Sequence, residues 1–252
     1  MAASAGVMTA ALVLDAVYQH VGGRMALDDI RLSLHEGAWL LICGPNGAGK
    51  TLLTRLILGL DRPSAGTIEV LGQDLSRLGE AAMVRLRGDI GAVLQRGSLL
   101  ADYSVLDNLL LPLRNAPMTR YDMARAARLV MTLLGLDGLE NHMPRGLSLG
   151  QQRRVELARA LIHQPKLLVW DGLSDGLDPS VARETLDVLR TLRENRNLTL
   201  IATDNVPDVL AGAADRVAVM ERGRLLFEGT PQGLESAGAT RLDLRAALWG
   251  HP

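Results

Sequence analysis

The run GPNGAGKT, Gly44 to Thr51, fits the pattern G-x-x-x-x-G-K-[ST]. Glycines at this spacing let successive backbone N–H groups curl around phosphate oxygens. A lysine after the last glycine reaches the β and γ phosphates of a nucleoside triphosphate, and the hydroxyl that follows can ligate Mg2+. The residues placed for this work are Gly44, Pro45, Asn46, Gly47, Ala48, Gly49, Lys50, Thr51 and Leu52. Lys50 and Lys166 are the only lysines of the chain, so a lysine here is a poor accident. A second candidate is Asp171, an acid ending the short apolar run Leu167–Trp170. A buried strand delivers a carboxylate to a phosphate site in this way, and Asp171 is expected to support Mg2+ together with Thr51.

The motif needs a strand before it and a helix after it. Residues 39–43 are an apolar run, and residues 52–60 carry helical apolar spacing. Alternation over 12–18 and 26–34 predicts half-buried, antiparallel strands. Further strands are expected at 66–72, 90–95, 167–170, 198–203 and 216–221, with a hairpin-like element at 223–231. Helix signals dominate 97–164, and another helix is expected over 179–195. The spacing therefore predicts an α/β fold with a mostly parallel core sheet, an added antiparallel sheet and a helical subdomain inserted at about 97–164. A single domain over 1–252 is expected, with a short tail from 232 that carries no clear signal.

Bulk properties narrow the function. A net charge of -1 gives no electrostatic case for binding nucleic acid. The lone cysteine, Cys43, excludes an intramolecular disulfide and reads as a core residue. The first residues lack the basic stretch of a cleaved secretory signal, and no apolar run reaches the roughly 18–20 residues that span a bilayer. Any work at a membrane is expected from its surface, through partners. His142, His163 and His251 have no metal-ligand spacing. Arg153 and Arg154 read as the solvated face of a helix.

About 20 residues before Asp171 stands LSLGQQRRVELARAL (147–161). With the phosphate loop, Gln95 and SDGLD (174–178), it resembles the ATP-binding cassette (ABC) transporter ATPases over roughly residues 11–231. The resemblance implies a P-loop NTPase of the ABC type that binds ATP and Mg2+. It gives Gln95 a Mg2+ or water contact and a link to the membrane partner. It places Ser148, Gly150 and Gln151 over the γ-phosphate held by an opposite subunit, Asp178 at the dimer interface, and an adenine-stacking ring at Tyr18 or His20. The Mg2+ set it implies is Thr51, Gln95 and Asp171. Residues 93–114 and 205–210 further resemble ATPases of bacterial lipid-trafficking importers.

Three positions depart from that family's pattern. Gly172 stands where the family has its catalytic glutamate, Asp204 where it has the switch histidine (Thr203 under a one-residue shift), and Leu149 where the signature has its first glycine. A positioned general base contributes about 10²- to 10⁴-fold, and glycine has no side chain to supply it. The expected protein is thus the ATP-binding subunit of a membrane ABC transporter for lipid, with weak or lost intrinsic hydrolysis. Its expected place is the cytoplasmic face of the membrane, with transmembrane permease subunits and a second, preferably different, ATPase subunit as partners. Two alternatives stand beside this: an active ATPase whose water is activated by Asp175 or Asp204, and an ABC interaction module without a transport role.

Overall fold

The computed structural model describes residues 9–95, 98–175, 178–207 and 212–249. Residues 96–97, 176–177, 208–210 and 251, which fall within the sequence expectations above, lie outside the described residues. The alternating N-terminal segment forms a long hairpin, β1 (Ala10–Val21) and β2 (Arg24–His35). It is extended by β4 (Ala65–Val70) and β5 (Gln73–Asp74) into an antiparallel sheet of order β2-β1-β4-β5. The second sheet has the order β10-β9-β3-β8-β7-β6. Its strands are β3 (Trp39–Cys43), β6 (Ile90–Val93), β7 (Leu167–Trp170), β8 (Thr199–Asp204), β9 (Arg216–Glu221) and β10 (Arg224–Gly229). From β9 to β6 neighbouring strands run parallel, and β10 pairs antiparallel with β9.

The parallel strands are apolar at nearly every position because both of their faces are covered. Side chains alternate between faces. Trp39, Leu41 and Cys43 enter one core with Leu168, Trp170, Leu200, Ala202, Val217 and Val219. Leu40 and Ile42 enter the other with Leu167, Val169, Ile201, Ala218 and Met220. The first core is roofed by α3 (Val105–Leu110), α4 (Arg120–Leu133) and α5 (Leu149–Leu161), which lie between β6 and β7 in sequence. The second is filled by α1 (Lys50–Ile57) and the antiparallel sheet, with α2 (Glu80–Arg87) at its margin. Helix α6 (Pro179–Arg196) joins β7 to β8.

Two details depart from the sequence expectation. Strand β6 stops at Val93, so Gln95 follows the strand instead of ending it. The tail is helical: α7 (Pro231–Gly238) and α8 (Leu242–Trp249) bring Leu234, Leu244, Ala247 and Leu248 into the first core. Each helix is only eight residues long, too short to stand alone, and is held by packing rather than by propensity.

The loop after β6 is tied down by a fully buried asparagine. Asn108 Nδ2 lies within hydrogen-bonding reach of the carbonyls of Leu100, Tyr103 and Ser104, at 3.0–3.1 Å, and its Oδ1 accepts from Leu100 N at 2.8 Å. Replacing Asn108 by alanine strands these buried groups and should cost about 1–3 kcal/mol of stability, measured by urea denaturation.

Candidate nucleotide-binding site

Parallel register brings the strand ends to one edge. Ile42 and Cys43 lie opposite Thr203 and Asp204, Trp170 opposite Ala202, and Val93 opposite Trp170. The residues following those ends therefore meet at the carboxyl edge of the sheet, where α/β sheets bind ligands. Gly49 takes φ +104°, a left-handed conformation that glycine adopts without strain, and starts α1 directly under the loop. The result is a cavity of about 610 Å3, including its open mouth. It gathers Asn46, Gly47, Ala48, Gly49, Lys50, Thr51 and Leu52 with Gln95 and Asp171. Gly172, Asp175, Thr203, Asp204 and Asn205 complete the lining.

Lys50 is nearly buried. Its ammonium donates to Gly44 O at 2.6 Å, Pro45 O at 3.1 Å and Asn205 Oδ1 at 3.0 Å, which uses all three of its protons. Burial pulls its pKa below the usual lysine value, and the carboxylates of Asp171, Asp204 and Asp175 oppose that shift. Asp171 is held by Thr203, whose hydroxyl donates to Asp171 Oδ1 at 2.5 Å and accepts from Gly172 N at 2.9 Å. Thr51 Oγ1 donates to Gln95 Oε1 at 3.2 Å. Thr51, Gln95 and Asp171 thus offer hydroxyl, amide and carboxylate oxygens, a donor set suited to Mg2+ shared with phosphate and water. Among the described residues there is no group of three or more His, Cys, Asp or Glu side chains built to cage a metal alone.

The two departures that reach the cavity do not simply leave gaps. Asp204 accepts from Ser174 Oγ at 2.7 Å, Ser174 N at 3.1 Å and Asn205 N at 2.7 Å. Burial pushes its pKa up, and these hydrogen bonds pull against that push. Its carboxylate fastens the loop after β7 through Ser174. Gly172 has φ +72°, and a Cβ there would lie 2.9 Å from Asp175 Cγ and closer still to Oδ2. Gln95 Nε2 donates to that same Asp175 Oδ2 at 3.0 Å.

Ser148, Gly150, Gln151 and Tyr18 do not line the cavity. Ser148 caps α5: its Oγ accepts from Gln151 N at 3.2 Å while Gln151 Oε1 accepts from Ser148 N at 2.9 Å. Leu149 beside it is exposed. Tyr18 sits on β1, paired with Ala65.

The family model described as "ABC transporter" matches residues 27–173. The chain belongs to the ABC transporter family. Among curated relatives, it is 39% identical over 204 residues to the methionine import ATP-binding protein MetN of Cupriavidus pinatubonensis, covering 81% of this chain and 59% of that protein. It is 37% identical over 213 residues to MetN of Rhizobium etli, covering 84% of this chain and 59% of that protein. The chain thus spans about 59% of the length of these relatives. Among solved structures, it superposes with TM-score 0.81 and 25% identity on cbiO1 from Clostridium perfringens, part of the ABC transporter complex cbiONQ, covering 93% of this chain and 96% of that one. A dimeric ATP-binding cassette in a post-hydrolysis state, bound to ADP and Pi, matches with TM-score 0.81 and 27% identity over 87% of this chain and 98% of that one. These matches bear out the P-loop ABC fold expected from the sequence.

In this ABC cassette, the two arginines of the signature helix need correction. Arg153 is buried, not solvated. Its guanidinium donates to Leu94 O and Gln95 O at 2.8 Å each, to Asp175 O at 3.2 Å and to Glu156 Oε2 at 2.9 Å. Glu156, also buried, accepts from Ser98 N at 2.6 Å. Arg159 closes the cluster on Ser98 O at 2.9 Å and on Ser98 Oγ. Arg154 is half-buried and reaches Leu134 O at 3.4 Å. Arg153 faces inward because the irregular chain around Gln95 and Asp175 exposes carbonyls that need a donor. The sequence signal was there: Arg153 and Glu156 fall on the helical face that also carries Leu157 and Ala160.

Glu156→Ala would leave the Arg153 charge buried without its counter-ion and should cost about 3–5 kcal/mol, whereas replacing both by apolar residues should recover much of that loss in guanidinium denaturation. Asp204→His should not act as a repair. The imidazole cannot accept both Ser174 bonds, and a loss of about 1–3 kcal/mol in the same assay is expected.

Proposed function

We propose that this chain is the Mg-ATP-binding subunit of a membrane ABC importer, driven by ATP-dependent pairing with a second cassette. The observation that carries this reading is the cavity at the sheet edge, where the phosphate loop, Lys50, Thr51, Gln95 and Asp171 converge. In it, Lys50 would exchange its carbonyl partners for β and γ phosphate oxygens, and Thr51, Gln95 and Asp171 would hold Mg2+. When bound, that ion neutralises charge on the phosphates. The start of α5, with Ser148, Gly150 and Gln151 at the surface, would close on the nucleotide of the opposite cassette, and Asp178 would lie at that interface. Tyr18 is proposed as the ring under adenine.

Among the described residues no helix is long and apolar enough to cross a membrane, and the proposed reading gives the route across it to partner subunits. Permease subunits at the cytoplasmic face are the proposed partners. The names of the relatives favour import of methionine, and the lipid cargo expected from residues 93–114 and 205–210 draws no support from them. The changes at Gly172, Asp204 and Leu149 argue against the ordinary route of hydrolysis. They favour an intact second cassette where hydrolysis must be fast.

Titration of the purified chain with a fluorescent ATP analogue and Mg2+ should show saturable binding. Lys50→Ala should weaken it about 10- to 100-fold, the loss of a charge-assisted hydrogen bond. Equal affinity in the two proteins would sink the reading.

A further inference from the structure

Gly172 and Asp175 occupy one place between them. A Cβ on residue 172 would run into the Asp175 carboxylate. That carboxylate therefore stands where a side chain from 172 would begin, in the lining of the nucleotide cavity. We propose that Asp175 is the catalytic carboxylate of this site, and that it polarises the attacking water in place of the side chain Gly172 lacks. The proposal rests on the ATP-binding reading above.

Asp175 is held from several directions. Its backbone N–H donates to Gly172 O at 3.1 Å, which folds the loop back on itself. Leu173 N donates to Thr203 O at 2.9 Å, and Ser174 is bound twice by Asp204. Arg153 Nε takes the Asp175 carbonyl at 3.2 Å. The side chain itself is steadied by Gln95 Nε2, while Gln95 Oε1 faces the Thr51 hydroxyl. The chain Thr51–Gln95–Asp175 thus couples the metal side of the cavity to a fixed carboxylate. A catalytic group placed in advance by its surroundings loses little freedom on reaction. This also gives the Asp204 change a purpose: its carboxylate anchors the segment that carries Asp175.

The reaction balances with ATP and water alone. The water donates a hydrogen bond to the Asp175 carboxylate, and its oxygen forms the new bond to the γ-phosphorus. The bond from that phosphorus to the bridging oxygen breaks, and its electron pair leaves on ADP. The water's proton passes to Asp175 and then to the released phosphate.

The test uses the purified full chain and its variants Lys50→Ala, Asp175→Asn, Asp175→Glu, Gly172→Glu and Gly172→Glu/Asp175→Ser. Three quantities are read: phosphate release, affinity for a fluorescent ATP analogue, and the dimer fraction in Mg-ATP by light scattering. The wild type should release phosphate above the Lys50→Ala level. Asp175→Asn should lower that release about 10²- to 10⁴-fold, keep saturable ATP binding and raise the dimer fraction, because bound ATP is no longer consumed. Asp175→Glu should keep part of the turnover. Gly172→Glu alone should gain nothing, since its side chain meets the Asp175 carboxylate, while the double variant should recover turnover. Unchanged turnover in Asp175→Asn overturns the proposal. So does a wild type that binds ATP with no release above Lys50→Ala. Failure to bind ATP at all would instead overturn the reading on which it rests.

Discussion

Five parallel strands, buried on both faces, impose the condition on which the rest depends. A strand covered on both sides is apolar over most of its length, so its polar side chains gather towards its end. Strands β3, β7 and β8 stop together because their hydrogen bonds set Cys43 beside Asp204 and Trp170 beside Ala202. The phosphate loop, Asp171 and the Thr203–Asp204 pair are therefore neighbours by register, although 150 or so residues separate the first from the last. The two cores differ in make-up yet share these strands, so the site's floor is fixed from above and below.

Around that floor, the irregular segments carry backbone groups with no ladder partner of their own. The chain meets this with a few side chains that each serve several backbone groups. Arg153 takes three carbonyls and a carboxylate, Asn108 serves four backbone groups, and Asp204 accepts from three donors. Arg153 matters most, because the carbonyls it holds belong to the segments bearing Gln95 and Asp175. The signature helix and the side of the cavity lined by Gln95 and Asp175 are joined through one guanidinium.

The sequence made the phosphate loop, the parallel strands and the helical block legible because each is a local pattern: glycine spacing, an apolar run, a 3.6-residue period. Asp171 was legible for the same reason. The tail helices were not, since two eight-residue helices owe their form to the core they cover and carry no strong signal alone. Arg153 was misjudged because charge normally predicts exposure, and only the folded chain shows the carbonyls that draw it inward. Asp204 ends β8, one residue beyond the strand expected at 198–203, and its direction was not legible: sequence gives a residue's place along the chain, while its neighbours decide what it binds. Asp175 stood among the alternatives. What raised it was the space left by Gly172, a feature of backbone geometry.

Lys50 has three hydrogen-bond partners, two loop carbonyls and the Asn205 amide oxygen. Under the proposed ATP reading, binding is an exchange: every phosphate oxygen that Lys50 meets must displace one of them. The measured affinity then reports a difference between two well-made sets of contacts, not the full strength of either. On that reading, the two carbonyls and the Asn205 amide take Lys50 back as nucleotide leaves, and no bare ammonium is left behind.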